Sequence, residues 1–388
     1  MQLNHPPDTT PQASEPASAN PASVGAALLL AAMALPLGLP AHAESAPERG
    51  LVALKYLDYL DSQPGKDRIA VRAPAIQVLA PVGSDWSLGG TFTSDVISGA
   101  SPAFHNAGFG KLFDHRRAGS LDVTRYFANG TLTLGANLSS ENDYLSRGVS
   151  VQATRSNESK NTTWLLGYGH NSDEINPSNK ITKNQTKSVN DLLLGVTQVL
   201  TADDIAQFNL GFSWGQGYYS DPYNVVDNRP RERNHATLVA RWNHFFDASQ
   251  GTTRASYRYY SDNWGIRSHT FDLEYVQPLP NGWTLTPLAR LYTQTAARFY
   301  VDADPSILPF APNPPDGALN YSEDSRLSAF GGHTLGIKVA KQLNDDWAID
   351  LKVERYEQRA GWMLFGNGSP GLLPFRYRSY QVGLSRQF

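Results

Sequence analysis

From Leu51 onward the chain repeats one pattern, an alternation of period two. Trp283, Leu285, Pro287, Ala289 and Leu291 fall on one face of WTLTPLARL; Thr284, Thr286, Leu288 and Arg290 fall on the other. In IAQFNLGFSW, Ala206, Phe208, Leu210, Phe212 and Trp214 share a face, with Gln207, Asn209 and Ser213 opposite. Leu132, Leu134, Ala136 and Leu138 alternate with Thr131, Thr133, Asn137 and Ser139. Trp347, Ile349, Leu351 and Val353 alternate with Ala348, Asp350, Lys352 and Glu354. Successive side chains of a strand point to opposite sides, so each stretch predicts a strand with one apolar and one polar face.

Alternation fits both a soluble sandwich, where the apolar face is the core, and a membrane barrel, where it meets lipid. Connection lengths decide between them. Tight turns stand at 82–85 (VGSD), 128–130 (ANG), 157–162, 201–204 (TADD), 247–251 (DASQG), 280–282 (PNG) and 344–346 (NDD). Between them lie longer polar connections near 99–117, 140–147, 172–187, 216–233, 301–325 and 358–374, with shorter ones near 61–66 and 261–265. Short and long alternate throughout, which predicts a meander with its turns at one end and its loops at the other. The expected fold is all-β: a transmembrane antiparallel up-and-down barrel. It has about sixteen strands from Leu51 to Phe388, with fourteen as the alternative, and the last strand closes on the first.

Residues 24–39 form a short apolar run broken by Pro36, and Ala41-His42-Ala43 follows as an A-x-A site. This predicts a cleaved secretory signal over 1–43, although no Lys or Arg precedes Ala43. The rival transmembrane anchor is too short and Pro-broken. Residues 44–388 then form a single barrel domain located in the bacterial outer membrane. Removing Asp8 and Glu15 with the signal takes the formal charge from −3 to −3 + 2 = −1. A nearly neutral chain offers no basic surface for nucleic acid. The absence of Cys excludes disulfide scaffolds and thiol enzymes.

Trp86, Trp164, Trp283 and Trp347 each follow a tight turn, which predicts an aromatic girdle at the lipid–water boundary. The stretches 77–88, 275–285 and 340–351 look like one hairpin unit used repeatedly. The chain ends on YQVGLSRQF, in which Tyr380, Val382 and Leu384 alternate with Gln381, Gly383 and Ser385 before Phe388. Tyr380, Gln381, Gly383 and Phe388 fit the terminal-strand signal read by the outer-membrane assembly machinery. Arg386 departs from it, standing where an apolar residue is usual.

Several strings resemble a bacterial outer-membrane family, domain of unknown function family 3570. They are KYLDYLDSQPG (55–65), DRIAVRAP (67–74), SDVISGASP (94–102), SSENDY (139–144), GQGYYSDPY (215–223), DNRPRERN (227–234), ARWNHFF (240–246) and YRYYSDNWGIRSHT (257–270). The resemblance implies a β-barrel and brings no activity. The gene neighbourhoods associated with the family, holding flavin-transfer and thioredoxin-like proteins, point toward surface electron transfer.

Pairing Leu279 with Trp283 across the PNG turn predicts Asp272 opposite Arg290, both inward, with Glu274 beside them. Lys338, Asp350, Lys352 and Glu354 make a second mixed-charge group across the NDD turn. Such charges either form a selective constriction or satisfy one another and brace the wall, and mutual satisfaction is the favoured reading. Asp221, Arg229, Arg231, Glu232 and Arg233 are loop candidates, read as a solvated run with local salt bridges rather than a pore-folded or anion-binding loop. VDADPS (301–306) has two Asp at calcium-like spacing but lacks the remaining ligands, so no metal is expected. His244, His269 and His333 have no nucleophile elbow or phosphate cradle near them, so neither an enzyme nor a cofactor is implied. The expected function is a passive channel or uptake pore for small polar solutes. The alternative is a structural sheath or docking barrel for periplasmic, redox-type partners. Outer-membrane lipid and the assembly machinery are the other expected partners; the oligomeric state is left open.

Overall fold

A computed structural model describes residues 45–99, 112–223, 227–302 and 315–388. The segment expected to be a signal, 1–43, and residues 303–306 of VDADPS lie outside them. The strands in chain order are β1 (Leu51–Gln63), β2 (Lys66–Val82), β3 (Trp86–Gly99), β4 (Leu112–Phe127), β5 (Gly130–Ser140), β6 (Tyr144–Ser156), β7 (Thr162–Ile175), β8 (Gln185–Val199), β9 (Asp204–Gly217), β10 (Asp227–Asn228), β11 (Glu232–Phe246), β12 (Gly251–Asp262), β13 (Arg267–Leu279), β14 (Trp283–Gln294), β15 (Tyr321–Ser322), β16 (Phe330–Gln342), β17 (Trp347–Arg359) and β18 (Phe375–Gln387). All but β10 and β15 form one closed barrel of sixteen antiparallel strands, each beside its sequence neighbour. β10 and β15 pair with each other in the loops.

Closure is made by β1 and β18, whose register runs from Leu51–Gln387 to Ser62–Arg376. Gly50 N donates to Phe388 O at 2.8 Å, and Phe388 N donates to Gly50 O at 3.0 Å. The short turns stand at this same end. At NDD, Asn344 Oδ1 accepts from the amides of Asp346 and Trp347 at 3.0 and 2.9 Å, replacing ladder bonds that the turn lacks. At PNG, Asn281 and Gly282 take φ of +60° and +74°, the left-handed region that Asn and Gly tolerate.

The alternating apolar residues lie on the outer wall. Leu134 is 55% exposed, Phe208 52% and Leu351 45%, while Asn209 and Ser213 of the inward face are 1% and 3% exposed. Leu285 is half-buried on the same outer wall. A soluble sandwich would bury the first set, so this arrangement needs an apolar solvent around it.

The four turn-side Trp residues face outward, and each has a base as its cross-strand register partner. The pairs are Trp86–Arg125, Trp164–Arg155, Trp283–Lys341 and Trp347–Arg386. The cation lies over the indole at 5.4, 5.2 and 5.4 Å in the first, third and fourth. A base above an indole keeps its charge toward water and its stem along lipid. This accounts for Arg386, the departure in the terminal strand. Trp164 is the third residue of its strand rather than the first.

Gly383 faces inward, and a Cβ there would run into the Asp350 carboxylate. Gly383→Leu is expected to destabilise the folded barrel by about 1–3 kcal/mol through overpacking. Gly383→Ala, which asks only that Asp350 swing aside, should cost less. Heat-dependent gel mobility of the purified protein measures both, and equal midpoints for Gly383→Leu and the wild type would refute the crowding.

Candidate functional site: the lumen wall and its mouth

The inward face is built asymmetrically. From β11 round to β1 its lower half carries charge. Asp272 is the register partner of both Arg290 and Ser256. Arg290 Nε donates to Asp272 Oδ1, and Ser256 Oγ donates to Oδ2 at 3.2 Å. Glu274 stands opposite Arg254, and Arg241 of β11 lies within electrostatic reach of both carboxylates. Further round, Lys338 and Lys352 are direct register partners. Like charges so placed repel, and each ammonium turns to its own acid: Lys338 to Asp350 at 3.6 Å and Lys352 to Glu354 at 3.0 Å. Lys55 of β1 faces the same group, interacting with Asp350, Lys338 and Lys352. The strip is partly open to solvent: Asp272 and Arg290 are each 23% exposed and Lys338 27%.

The facing wall, β4 to β9, is neutral over most of its lower half. Thr124 and Thr133 bond through their hydroxyls at 2.9 Å, and Thr131 and Thr154 at 2.7 Å. Inward glycines such as Gly135 leave little bulk there; a Cβ on Gly135 would meet Ser150 Oγ at 2.5 Å. Asp122 adds a carboxylate to the lower part of this wall. A strip of fixed charge therefore looks across the lumen at a surface of hydroxyls and backbone.

Above the strip the interior is packed. Tyr356 and Tyr377 stack with ring centroids 4.9 Å apart, and Tyr59 adjoins Tyr377 at 5.0 Å. Buried ion pairs ring this level: Arg116–Asp95 at 3.1 Å, Lys187–Asp173 at 2.9 Å and Arg233–Asp262 at 2.9 Å. The guanidinium of Arg233 also covers Trp264 at 4.3 Å. Tyr219, Tyr260, Trp264, Ile266, Ala297 and Leu327 form an apolar cluster that ties the connection after β9 to that before β16.

The loop candidates divide. Arg229 bridges Asp227 at 2.9 Å and Asp324 at 2.7 Å. Arg229 and Arg233 are both 8% exposed, so the expected solvated run is buried at these two positions. The reason is the β10–β15 contact, which lays the second loop over the first. Arg231 and Glu232 remain exposed, and Arg231 Nη2 donates to Gln185 Oε1 at 2.9 Å. Asp221 is buried and accepts from Tyr223 N at 2.9 Å; burial, and then the neighbouring Asp227, push its carboxyl up to about 7. Burial acts on Asp324 in the same sense, but Arg326 and Arg229 outweigh it and hold that carboxyl well below its usual range.

The histidines lie apart from one another. His244, near the turn end, has Nδ1 2.8 Å from Asp204 Oδ1, an atom that also accepts from Trp242 Nε1 at 2.8 Å. His269 meets Tyr257 Oη at 2.8 Å and the ring of Phe365. His333 lies on Trp362. Among the described residues no three His, Cys, Asp or Glu side chains converge as metal ligands. Asp302 of VDADPS accepts from Gly371 N at 3.1 Å. In the terminal strand, Tyr380 faces out and Gly383 in, and the Phe388 ring lies against Gly50. Sequence reading missed Lys55, Arg241 and Arg254. Their inward position follows from register, which is set for Arg241 and Arg254 by the tight turn between β11 and β12 and for Lys55 by the β1–β18 seam.

Solved structures of the same architecture include a bacterial polysaccharide outer membrane secretin, at 8% identity, 87% coverage of this chain and 98% of that one, TM-score 0.50. CdiB from Acinetobacter baumannii follows at 10% identity, 86% of this chain and 60% of its own length, TM-score 0.49. OccK2 of Pseudomonas aeruginosa, solved with glucuronate, matches at 12% identity, 88% and 98% coverage, TM-score 0.45. At such identities the likeness is one of fold, that of outer-membrane barrels. No curated protein sequence matches the chain. The family described as protein of unknown function (DUF3570) matches residues 108–379, from before β4 into β18. The barrel built here from alternation and turns therefore belongs to the DUF3570 family.

Proposed function

We propose that the protein is a passive outer-membrane channel for small polar solutes with a preference for anions. The observation that carries this is the partly solvent-exposed charged strip facing a hydroxyl wall. Sixteen strands enclose more space than their own side chains fill. A one-sided strip sets a field across that space, and a low-dielectric wall focuses it. On the strip, Lys55, Arg241, Arg254, Arg290, Lys338 and Lys352 outnumber Asp272, Glu274, Asp350 and Glu354. The acids hold the bases in place, and the excess base sets the sign. Nothing in the strip resembles a nucleophile with its base, which supports transport rather than catalysis.

Planar-bilayer recording across a salt gradient tests the channel. The wild type is expected to give stable steps with a reversal potential on the anion side. Asp272→Asn should move it further that way, and Arg290→Gln back toward zero. Silence, with both substitutions altering only heat stability, would sink the channel and favour the sheath or docking barrel.

The mouth loops should respond to pH. Asp221 has a folded pKa of about 7, against roughly 3.9 unfolded. The folded form holds its proton more tightly, so ionisation opposes the folded loop. Stability of the loop packing is fully present below about pH 4, falls as pH rises to about 7, and is level above that. Protection factors of amides in 218–223 and 227–231 should be higher at pH 6 than at pH 8, and Asp221→Asn should flatten the difference. A pH-independent wild type would contradict the assignment.

A further inference from the structure

Bases on the outer wall are treated differently at its two borders. At the turn end each lies beside a Trp. On β17 and β18 a second pair stands eight residues higher, since Trp347–Arg386 and Arg355–Arg378 are both direct register partners. Between them the outward residues are Ile349, Leu351 and Val353 on β17, and Tyr380, Val382 and Leu384 on β18. Eight residues span about 26 Å along a strand, close to the roughly 25 Å apolar band of a membrane barrel once strand tilt is allowed for. Arg355 and Arg378 thus stand where acyl chains give way to headgroups.

Two arginines directly opposite one another repel, and the Cβ atoms of such partners are only about 5 Å apart. Both are exposed, and among the described residues neither has a carboxylate or an aromatic ring as partner. The nearest acids are taken: Glu357 accepts from Arg359 at 2.7 Å and from Arg376 at 3.0 Å, and Asp58 pairs with Arg72 at 3.7 Å. The corresponding register pairs eight residues above Trp86, Trp164 and Trp283 are Ser94–Arg117, Ser172–Arg147 and Leu291–His333, none of which sets two guanidiniums opposite one another. The cost of the unrelieved pair is therefore confined to one sector of the wall.

We propose that Arg355 and Arg378 form a binding site for the phosphorylated headgroup of an outer-leaflet lipid. A phosphate between two guanidiniums accepts charge-assisted, bidentate bonds and cancels their repulsion. The acyl chains of the same lipid lie down the apolar column of Leu351, Val353, Tyr380 and Val382. Glu357 fixes Arg359 and Arg376 just above, giving a second tier of positive charge. The site is on the outer wall, so it is independent of whether the lumen conducts.

The test is binding of diphosphoryl lipid A in detergent micelles to the purified full chain, read by the thermal midpoint and by retention of lipid phosphorus on the washed protein. The Arg355→Gln/Arg378→Gln double variant should bind at least tenfold more weakly, with the Lys/Lys variant in between and Arg117→Gln, elsewhere on the outer wall, unchanged. Dephosphorylated lipid should bind the wild type and the double variant alike. Equal binding of diphosphoryl lipid by the double variant and the wild type would overturn the proposal. So would a matching stabilisation by inorganic phosphate alone, which would mark a free-anion site. If the double variant fails to fold, the wild type decides: dephosphorylated lipid bound as tightly as diphosphoryl lipid A refutes the site.

Discussion

The structure depends on one constraint: inside hydrocarbon no backbone N–H or C=O can go unpaired. A sheet has two edges, and only joining them removes both. Here the joint is β1 against β18, with twelve residues of β1 in register along the seam. Once it is made, every strand has two neighbours and every residue an inside or an outside. The side-chain pattern is then a consequence of closure. A slip of one residue in any hairpin would turn Leu to the lumen and Asp to the lipid. The turns that prevent slippage, such as Asn344 capping the start of β17, are therefore as important to the inside-out arrangement as the apolar residues themselves.

Closure also explains how charge can be retained in a wall surrounded by lipid. Asp272, Arg290, Lys338 and Asp350 sit on strands whose other face is Leu, Ile or Phe, and they are tolerated because the lumen side is polar. Burying such pairs dry would cost more than their attraction returns. Partial exposure to an enclosed aqueous space avoids that cost. Apart from Asp122, the hydroxyl wall opposite offers bonding without fixed charge, so most of the charge facing the lower lumen stands in one sector.

Much of this was legible in the chain. The alternation of LTLGANL and WTLTPLARL predicts faces, and the turn spacing predicts about sixteen strands, an even number that brings both ends to the turn side. The PNG hairpin even predicts the register of Asp272 and Arg290, because Leu279–Trp283 is the last pair before the turn. The illegible parts have physical causes. Lys55 and Arg254 lie in KYLDYL and TTRASYRYY, where aromatic and charged residues occupy both faces and no apolar side stands out. Arg386 reads as a defect until its cross-strand indole is known. Burial of Arg229 depends on Asp324, 95 residues away, and no local rule links loops at that distance.

The division of the interior follows from the same geometry. Above the strip, Tyr356, Tyr377 and Tyr59 pack on one another, and Asp95, Asp173 and Asp262 are buried in ion pairs. Buried, fully paired groups of this kind hold a single arrangement, because breaking one partner leaves an uncompensated charge. Below it, the Lys338–Asp350 contact is longer and wetter, so those side chains can exchange partners at small cost. A rigid upper ring fixes the shape of the barrel, and the looser lower strip leaves its side chains free to rearrange. In the proposed channel, discrimination by charge would fall to the lower strip, whose fixed charges are partly solvated and line the enclosed space.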